Sequence, residues 1–201
     1  MKIRIRFAFL FVAMIAGAAL AIDPASAHRF NVVLVIPLSN ATPDQGRQIR
    51  AGFMLATKER DSQPDQESDG HLGGLDVYVH VIDGKGDVAA DIGRIAEQGA
   101  AHIVVAFGSE TRPSPIDKLL DGKKIALLVP GETPFSEPER PAVAAFIALY
   151  AREYGTRPSS RAAQGYNAAR RIDVAVRAQG GVDDIVWLRR SFRETARGFT
   201  W

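Results

Sequence analysis

The sequence contains no cysteine. No disulfide can staple this chain, so its stability has to come from a hydrophobic core. Past the first two dozen residues no apolar run is long enough to cross a bilayer. No Gly-x-Ser-x-Gly elbow is present, which removes the usual esterase on an α/β sheet. No glycine pattern between a strand and a helix matches a nucleotide fingerprint. His71, His80 and His102 are far apart and lack metal-ligand spacing, and Asp83 to Asp87 has too few acids for a calcium loop. Nothing in the chain assembles a nucleophile with a base. Neither charge sign dominates, with 25 basic and 23 acidic residues. Arginines spaced along helices without an aromatic platform are a poor match to a nucleic-acid surface. The expectation is a protein that is not an enzyme, with no cofactor, no metal and no nucleic-acid partner.

The chain opens Met-Lys-Ile-Arg-Ile-Arg, runs apolar from Phe7 to Ala21, and reaches Ala25-Ser26-Ala27. A basic start, a short apolar core and a small-residue exit read as a secretory signal peptide, cut after Ala27 or after Ala21. Residues 1–27 are thus expected to direct export to the periplasm, and no cysteine follows them to carry a lipid anchor. Without those residues the balance is 22 basic against 22 acidic. Its distribution is uneven: 28–139 carries 11 basic and 17 acidic residues, while 140–201 carries 11 basic residues, all Arg, and 5 acidic. The two parts could attract each other within one copy or between two.

Val32 to Ile36 is an unbroken apolar run with four β-branched residues. Lack of alternation suits a strand covered on both faces, as in a parallel sheet flanked by helices. Pro37 ends it, and Ser39 to Gly46 leads into a helix capped by Thr42 and running from Pro43 to about Arg60. Ile49, Gly52, Phe53 and Ala56 form its apolar stripe, with Gly52 expected to bring the helix close to the sheet. Asp61 to Asp69 reads as a loose acidic insertion and Gly70 to Gly74 as a turn. Leu75 to Ile82 is a strand near an edge. Asp87 caps a helix from Val88 to Gln98, with Ile92, Ile95, Ala96 and Gly99 inward. His102 to Phe107 and Lys124 to Val129 are further strands, with a short helix from Ser114 to Leu120 between them. Three helices follow: Pro141 to Tyr154, Ser160 to Gln179, and Asp183 to about Arg193. This order predicts a doubly wound α/β fold, a parallel sheet of four strands with helices on both faces and Val32–Ile36 at its centre.

Several stretches resemble the type I periplasmic solute-binding proteins of ABC transporters, the leucine/isoleucine/valine-binding group. Val35-Ile36-Pro37-Leu38-Ser39 with Gln45-Gly46 and Arg50-Ala51-Gly52 is similar to that family's opening unit. Gly73-Gly74-Leu75 with Asp83 to Asp87 resembles its second, His102 to Gly108 its third strand, and Ile125 to Thr133 its fourth strand with a ligand loop. The most specific match is Phe146, Tyr150, Tyr154-Gly155, Pro158 and Gly165-Tyr166-Asn167-Ala168. Asn167 stands where the family has Asp and is expected on a helix surface, and Tyr166 in the core with its hydroxyl bonded. The family has a second lobe after the fourth strand. Here Thr133 is followed almost at once by the returning helices, so 28–201 is expected to form a single periplasmic binding protein-like lobe, with strand/helix units over 28–133 and returning helices over 141–201.

The resemblance implies an amino acid or small carboxylate as ligand, an ABC permease or another periplasmic partner, and ligand contacts at Ser39, Gln45, Ser109, Thr111 and Thr133. Ser109 and Thr111 can equally be helix or turn caps, because the family's Gly-Pro-x-x-Ser pattern is absent there. A lone lobe would leave Pro130, Phe135, Phe199 and Trp201 facing water, a surface suited to a partner or to a homodimer. Two functions stand open: a one-lobe solute-binding component, or an interaction protein that kept the lobe and lost solute binding.

Overall fold

A computed structural model describes residues 29–39, 43–59, 61, 67–99, 101–108, 116, 120, 122–131 and 141–197. Five strands, β1 (Arg29–Ile36), β2 (His71–Leu72), β3 (Leu75–Asp83), β4 (Ile103–Ala106) and β5 (Ala126–Leu128), form one sheet in the order β2-β3-β1-β4-β5. The helices are α1 (Pro43–Glu59), α2 (Val88–Glu97), α3 (Pro141–Tyr154), α4 (Ser160–Gln179) and α5 (Ile185–Glu194), with a 3₁₀ turn at Thr195–Arg197. The four long strands are parallel, and β1 lies at the centre as the apolar run predicts.

The expected turn at Gly70–Gly74 instead contains the antiparallel strand β2, which pairs His71 with Asp76 and Leu72 with Leu75. Gly73 and Gly74 take φ of +66° and +86°, the two consecutive positive values that a tight two-residue hairpin needs. The acidic insertion ends less loosely than its composition suggests. Asp69 accepts the Val79 N–H at 2.8 Å, its carbonyl accepts the buried Thr57 hydroxyl at 2.6 Å, and Asp61 meets His71 Nδ1 at 3.0 Å.

Side chains alternate across β1, and this divides the core in two. Phe30, Val32, Leu34 and Ile36 join one cluster with α1, α3, α4 and α5. Val33 and Val35 join another with Val88 and Ile92 of α2 and with Ile116 and Leu120. Each such side chain contributes roughly 1.5–3 kcal/mol by burial. Gly99 is not inward: it is exposed at φ +68°, just past the end of α2, whose start is capped by the Asp87 carboxylate as expected. The Asp184 carboxylate caps α5, which begins at Ile185, two residues after the expected start at Asp183.

Two glycines set the helical layer. A Cβ on Gly52 would lie 1.9 Å from the carbonyl oxygen of Ala162, and one on Gly165 would lie 2.0 Å from that of Ile49. Gly52 therefore brings α1 against α4, not against the sheet as expected, because α4 is the element that crosses it with no side chain between the backbones. Drawn in this way, α4 is buried from 162 to 169 and again at 171–173 and 175–176. Asn167 is consequently buried, contrary to its expected surface place. Apart from Arg170 Nε, the main polar groups carried inside are paired. Arg171 donates to the Phe192 carbonyl at 2.5 Å and to Thr195 Oγ1 at 3.1 Å, and burial lowers its basicity. Asp173 accepts the Gly73 N–H at 2.7 Å and pairs with Arg170 and Arg177. Tyr166 is buried and its hydroxyl donates to Glu59. The aromatic residues that carry the sequence resemblance form a ladder: Phe146 contacts Tyr166 and Tyr150 at ring separations of 4.7 and 5.8 Å, and Tyr150 contacts Tyr154 at 4.6 Å. Tyr154 donates to the Ala51 carbonyl at 2.9 Å, and its phenol pKa is pushed up to about 12, chiefly by burial.

Two expected outcomes follow from this packing. Gly52→Ala and Gly165→Ala should each cost about 1–3 kcal/mol through overpacking. The double variant should cost less than their sum, because the first methyl already parts the helices that the second would push apart; urea unfolding of the four proteins measures this. The second concerns His102, whose Nδ1 accepts the Asn31 N–H at 3.0 Å and so must be unprotonated. Burial lowers its pKa from 6.5, partly offset by the charge of Asp183. A depressed histidine pKa means that the unfolded chain binds the proton more readily. Its contribution is complete above about pH 6.5 and is lost as pH falls below that value toward the folded pKa. Thermal midpoints should drop between pH 7.5 and 5.5, and His102→Gln should flatten the slope.

Candidate functional site

Open parallel sheets present ligand sites at the carboxyl ends of their strands, where chains leave for helices on either face. Here that edge is formed by Pro37–Ser39 after β1, Gly84–Gly86 after β3, Phe107 and Gly108 after β4, and Val129–Gly131 after β5. The β1 exit is confined by α1, since a Cβ on Gly46 would fall 2.1 Å from the Pro37 carbonyl oxygen. That contact lays the first turns of α1 over the end of β1, with Gln45 half-buried and Ser39 exposed.

Asp83, the last residue of β3, ties two exits together. Its Oδ1 accepts the Leu38 N–H at 3.1 Å and the Lys85 N–H at 3.2 Å, while Oδ2 accepts the Ser39 hydroxyl. The Gly84 N–H closes the same corner on the Ile36 carbonyl at 2.8 Å. The Ser39 hydroxyl holds the Asp83 carboxyl below the usual carboxylate range against the opposing effect of burial, with further help from the backbone N–H groups of Leu38, Lys85 and Ser39. The exit of β5 is held from the helical side, where Gln164 Nε2 donates to the Gly131 carbonyl at 3.0 Å and Arg161 donates to Gln164 Oε1 at 3.2 Å. Ser159, which caps α4, also donates to Gln48 of α1. The α1–α4 pair thus carries both the β1 and the β5 exits.

Of the predicted site residues, Ser39 and Gln45 lie at this edge. Ser109, Thr111 and Thr133 fall outside the described residues, as do Thr42, Phe135, Phe199 and Trp201. Pro130 is buried and does not face water as expected, because α4 and the 3₁₀ turn cover the β5 exit: Gln164 reaches Gly131, and a Cβ on Gly131 would lie 3.9 Å from the Ala196 carbonyl. Asp83 and Gln164 were not predicted. Asp83 carried a usable signal, an acid closing a strand at the edge where open sheets bind ligands. Gln164 carried none, since a glutamine in a polar helix says nothing of what it reaches. Among the described residues no group of three His, Asp or Glu is placed to hold a metal ion, and no helix is long and apolar enough to cross a membrane. The edge offers hydroxyl, carboxylate and backbone groups for hydrogen bonding.

Among solved structures, a leucine binding protein from Thermotoga maritima MSB8 aligns with TM-score 0.50 and 12% identity, over 85% of this chain and 90% of that one. The chain has the fold of a type I periplasmic binding protein lobe. Two further structures align with lower scores, both at 12% identity. An amino acid ABC transporter substrate-binding protein from Pseudomonas fluorescens Pf-5 has a TM-score of 0.48, over 81% of this chain and 82% of that one. A solute binding protein of an ABC transporter from Rhodopseudomonas palustris BisB5, in complex with 3,4-dihydroxybenzoic acid, has 0.46 over 80% and 84%. No protein-family model and no curated protein matches the sequence. At this identity the likeness is one of fold. Among the described residues the lobe has one sheet, where a two-lobed binding protein would have two.

Proposed function

We propose that this chain is a solute-binding component of an ABC uptake system in one-lobe form, exported to the periplasm by residues 1–27 and not an enzyme. Its ligand class is amino acids or small carboxylates. They would be held at the strand-end edge by Ser39 and Gln45, with Ser109, Thr111 and Thr133 from the exits of β4 and β5, and an ABC permease would receive them. The observation that supports this reading is the polar corner where Asp83 joins Ser39 and Leu38 at the carboxyl end of a parallel sheet of this fold. The single sheet supports a second reading, an interaction protein that kept the lobe without the solute.

Affinity separates the two. A complete pocket encloses about 70–90% of a small ligand, and one lobe supplies roughly half of that contact. Each 1.4 kcal/mol lost is about a tenfold step in Kd. Calorimetric titration of the monomer with amino acids and small carboxylates should therefore give Kd values on the order of 0.1–10 mM. No heat from any of them at millimolar concentration would favour the interaction reading, and submicromolar binding by a monomer would contradict the one-lobe argument. Mass spectrometry of the exported fraction should show a chain starting near His28.

A further inference from the structure

Resting on that reading, we infer that Ser39 and Asp83 form an acceptor-only pair that selects ligands bearing a protonated amine, leaving any ligand carboxylate to donors elsewhere on the edge. The argument starts from where the protons are. Asp83 accepts three hydrogen bonds at this corner, two from backbone N–H groups on Oδ1 and one from the Ser39 hydroxyl on Oδ2. A carboxylate has no proton to give, so the hydrogen between Ser39 and Asp83 belongs to Ser39. That hydroxyl has one hydrogen and it is committed. What Ser39 still offers is lone pairs, and a carboxylate has about four acceptor sites, of which Asp83 uses three in these hydrogen bonds.

Serines at a ligand edge ordinarily bind carboxylates by donating. This one cannot do so without giving up its bond to Asp83, and the incoming anion would then meet the Asp83 charge as well. A primary ammonium has the opposite fit, with three N–H donors and a positive charge for two adjacent acceptors. Ser39 is exposed, so the pair is open to a ligand. Asp83 is also anchored from the backbone of both loops it touches, which keeps its oxygens in place before a ligand arrives.

The test uses the full mature chain, ¹⁵N-labelled, titrated separately with L-leucine, with 4-methylpentanoate, which lacks the amine, and with 3-methylbutylamine, which lacks the carboxylate. The expected result is that leucine and 3-methylbutylamine shift the amides of Leu38, Ser39, Gly84 and Lys85, and 4-methylpentanoate does not. Asp83→Asn should weaken both amines about tenfold or more, the effect of losing one charge-assisted hydrogen bond. Because Asp83→Asn could loosen the corner itself, Ser39→Ala provides a second reading. It leaves the backbone bonds to Asp83 intact and should weaken the amines several-fold while the amide spectrum of the free protein stays that of the parent away from residue 39. Equal shifts from the carboxylate probe at these four amides, or amine affinities unchanged in both variants, would overturn the inference while leaving a strand-end solute site standing. No strand-end shift with any of the three probes would overturn the inference and count against the solute-binding reading as well.

Discussion

Two backbones in contact, with no side chain between them, set the geometry of this lobe. Gly52 of α1 and Gly165 of α4 each face a carbonyl oxygen of the other helix at distances that leave no room for a methyl group. Interiors packed at crystal-like density do not take up such a change without moving whole elements. Because the helices meet there, the Tyr154 hydroxyl reaches the Ala51 carbonyl and Ser159 reaches Gln48. The same approach places α4 among α1, the β2–β3 hairpin, α3 and α5, which explains why a helix with so polar a sequence is buried along most of its length.

That burial has consequences for the polar residues of α4. Gln164, Arg171 and Asp173 each leave water, and each recovers hydrogen bonds from a different element: the β5 exit, the end of α5 and the β2–β3 turn respectively. Buried polar groups stabilise a fold when their partners are in place and weaken it when one is missing. In this lobe they act as positional ties, fastening α4 to three separate parts of the chain. One of those ties, from Gln164 to Gly131, ends at the candidate ligand edge.

The candidate ligand edge is thus positioned from both layers. From the helical layer it receives Gly46 against Pro37 and Gln164 against Gly131. From the sheet it receives Asp83, whose carboxylate joins the exits of neighbouring strands β1 and β3. A site assembled in this way has its polar groups oriented before a ligand binds, which matters more in a single lobe than in a closing pair. On the proposed one-lobe reading one face supplies the contacts, and orientation of a few groups has to do what enclosure does elsewhere.

Much of the fold was legible in the residues. Val32 to Ile36, apolar without alternation, specified a central strand covered on both faces, since alternate side chains must each find a core. Asp87 marked a helix start, and Gly155 and Gly180 marked helix ends, through local backbone chemistry that needs no knowledge of distant residues. Ser39 could be placed at a strand end by the same local logic. The partner of Gly52, the burial of Asn167, the reach of Gln164 and the bond between Ser39 and Asp83 were decided by tertiary structure. Each depends on residues far apart in sequence, 44 positions for Ser39 and Asp83 and 33 for Gln164 and Gly131. A periodic pattern states which side of an element is apolar but not which other element will lie against it. That choice is made when the helices pack, by whether two backbones can approach without a side chain between them.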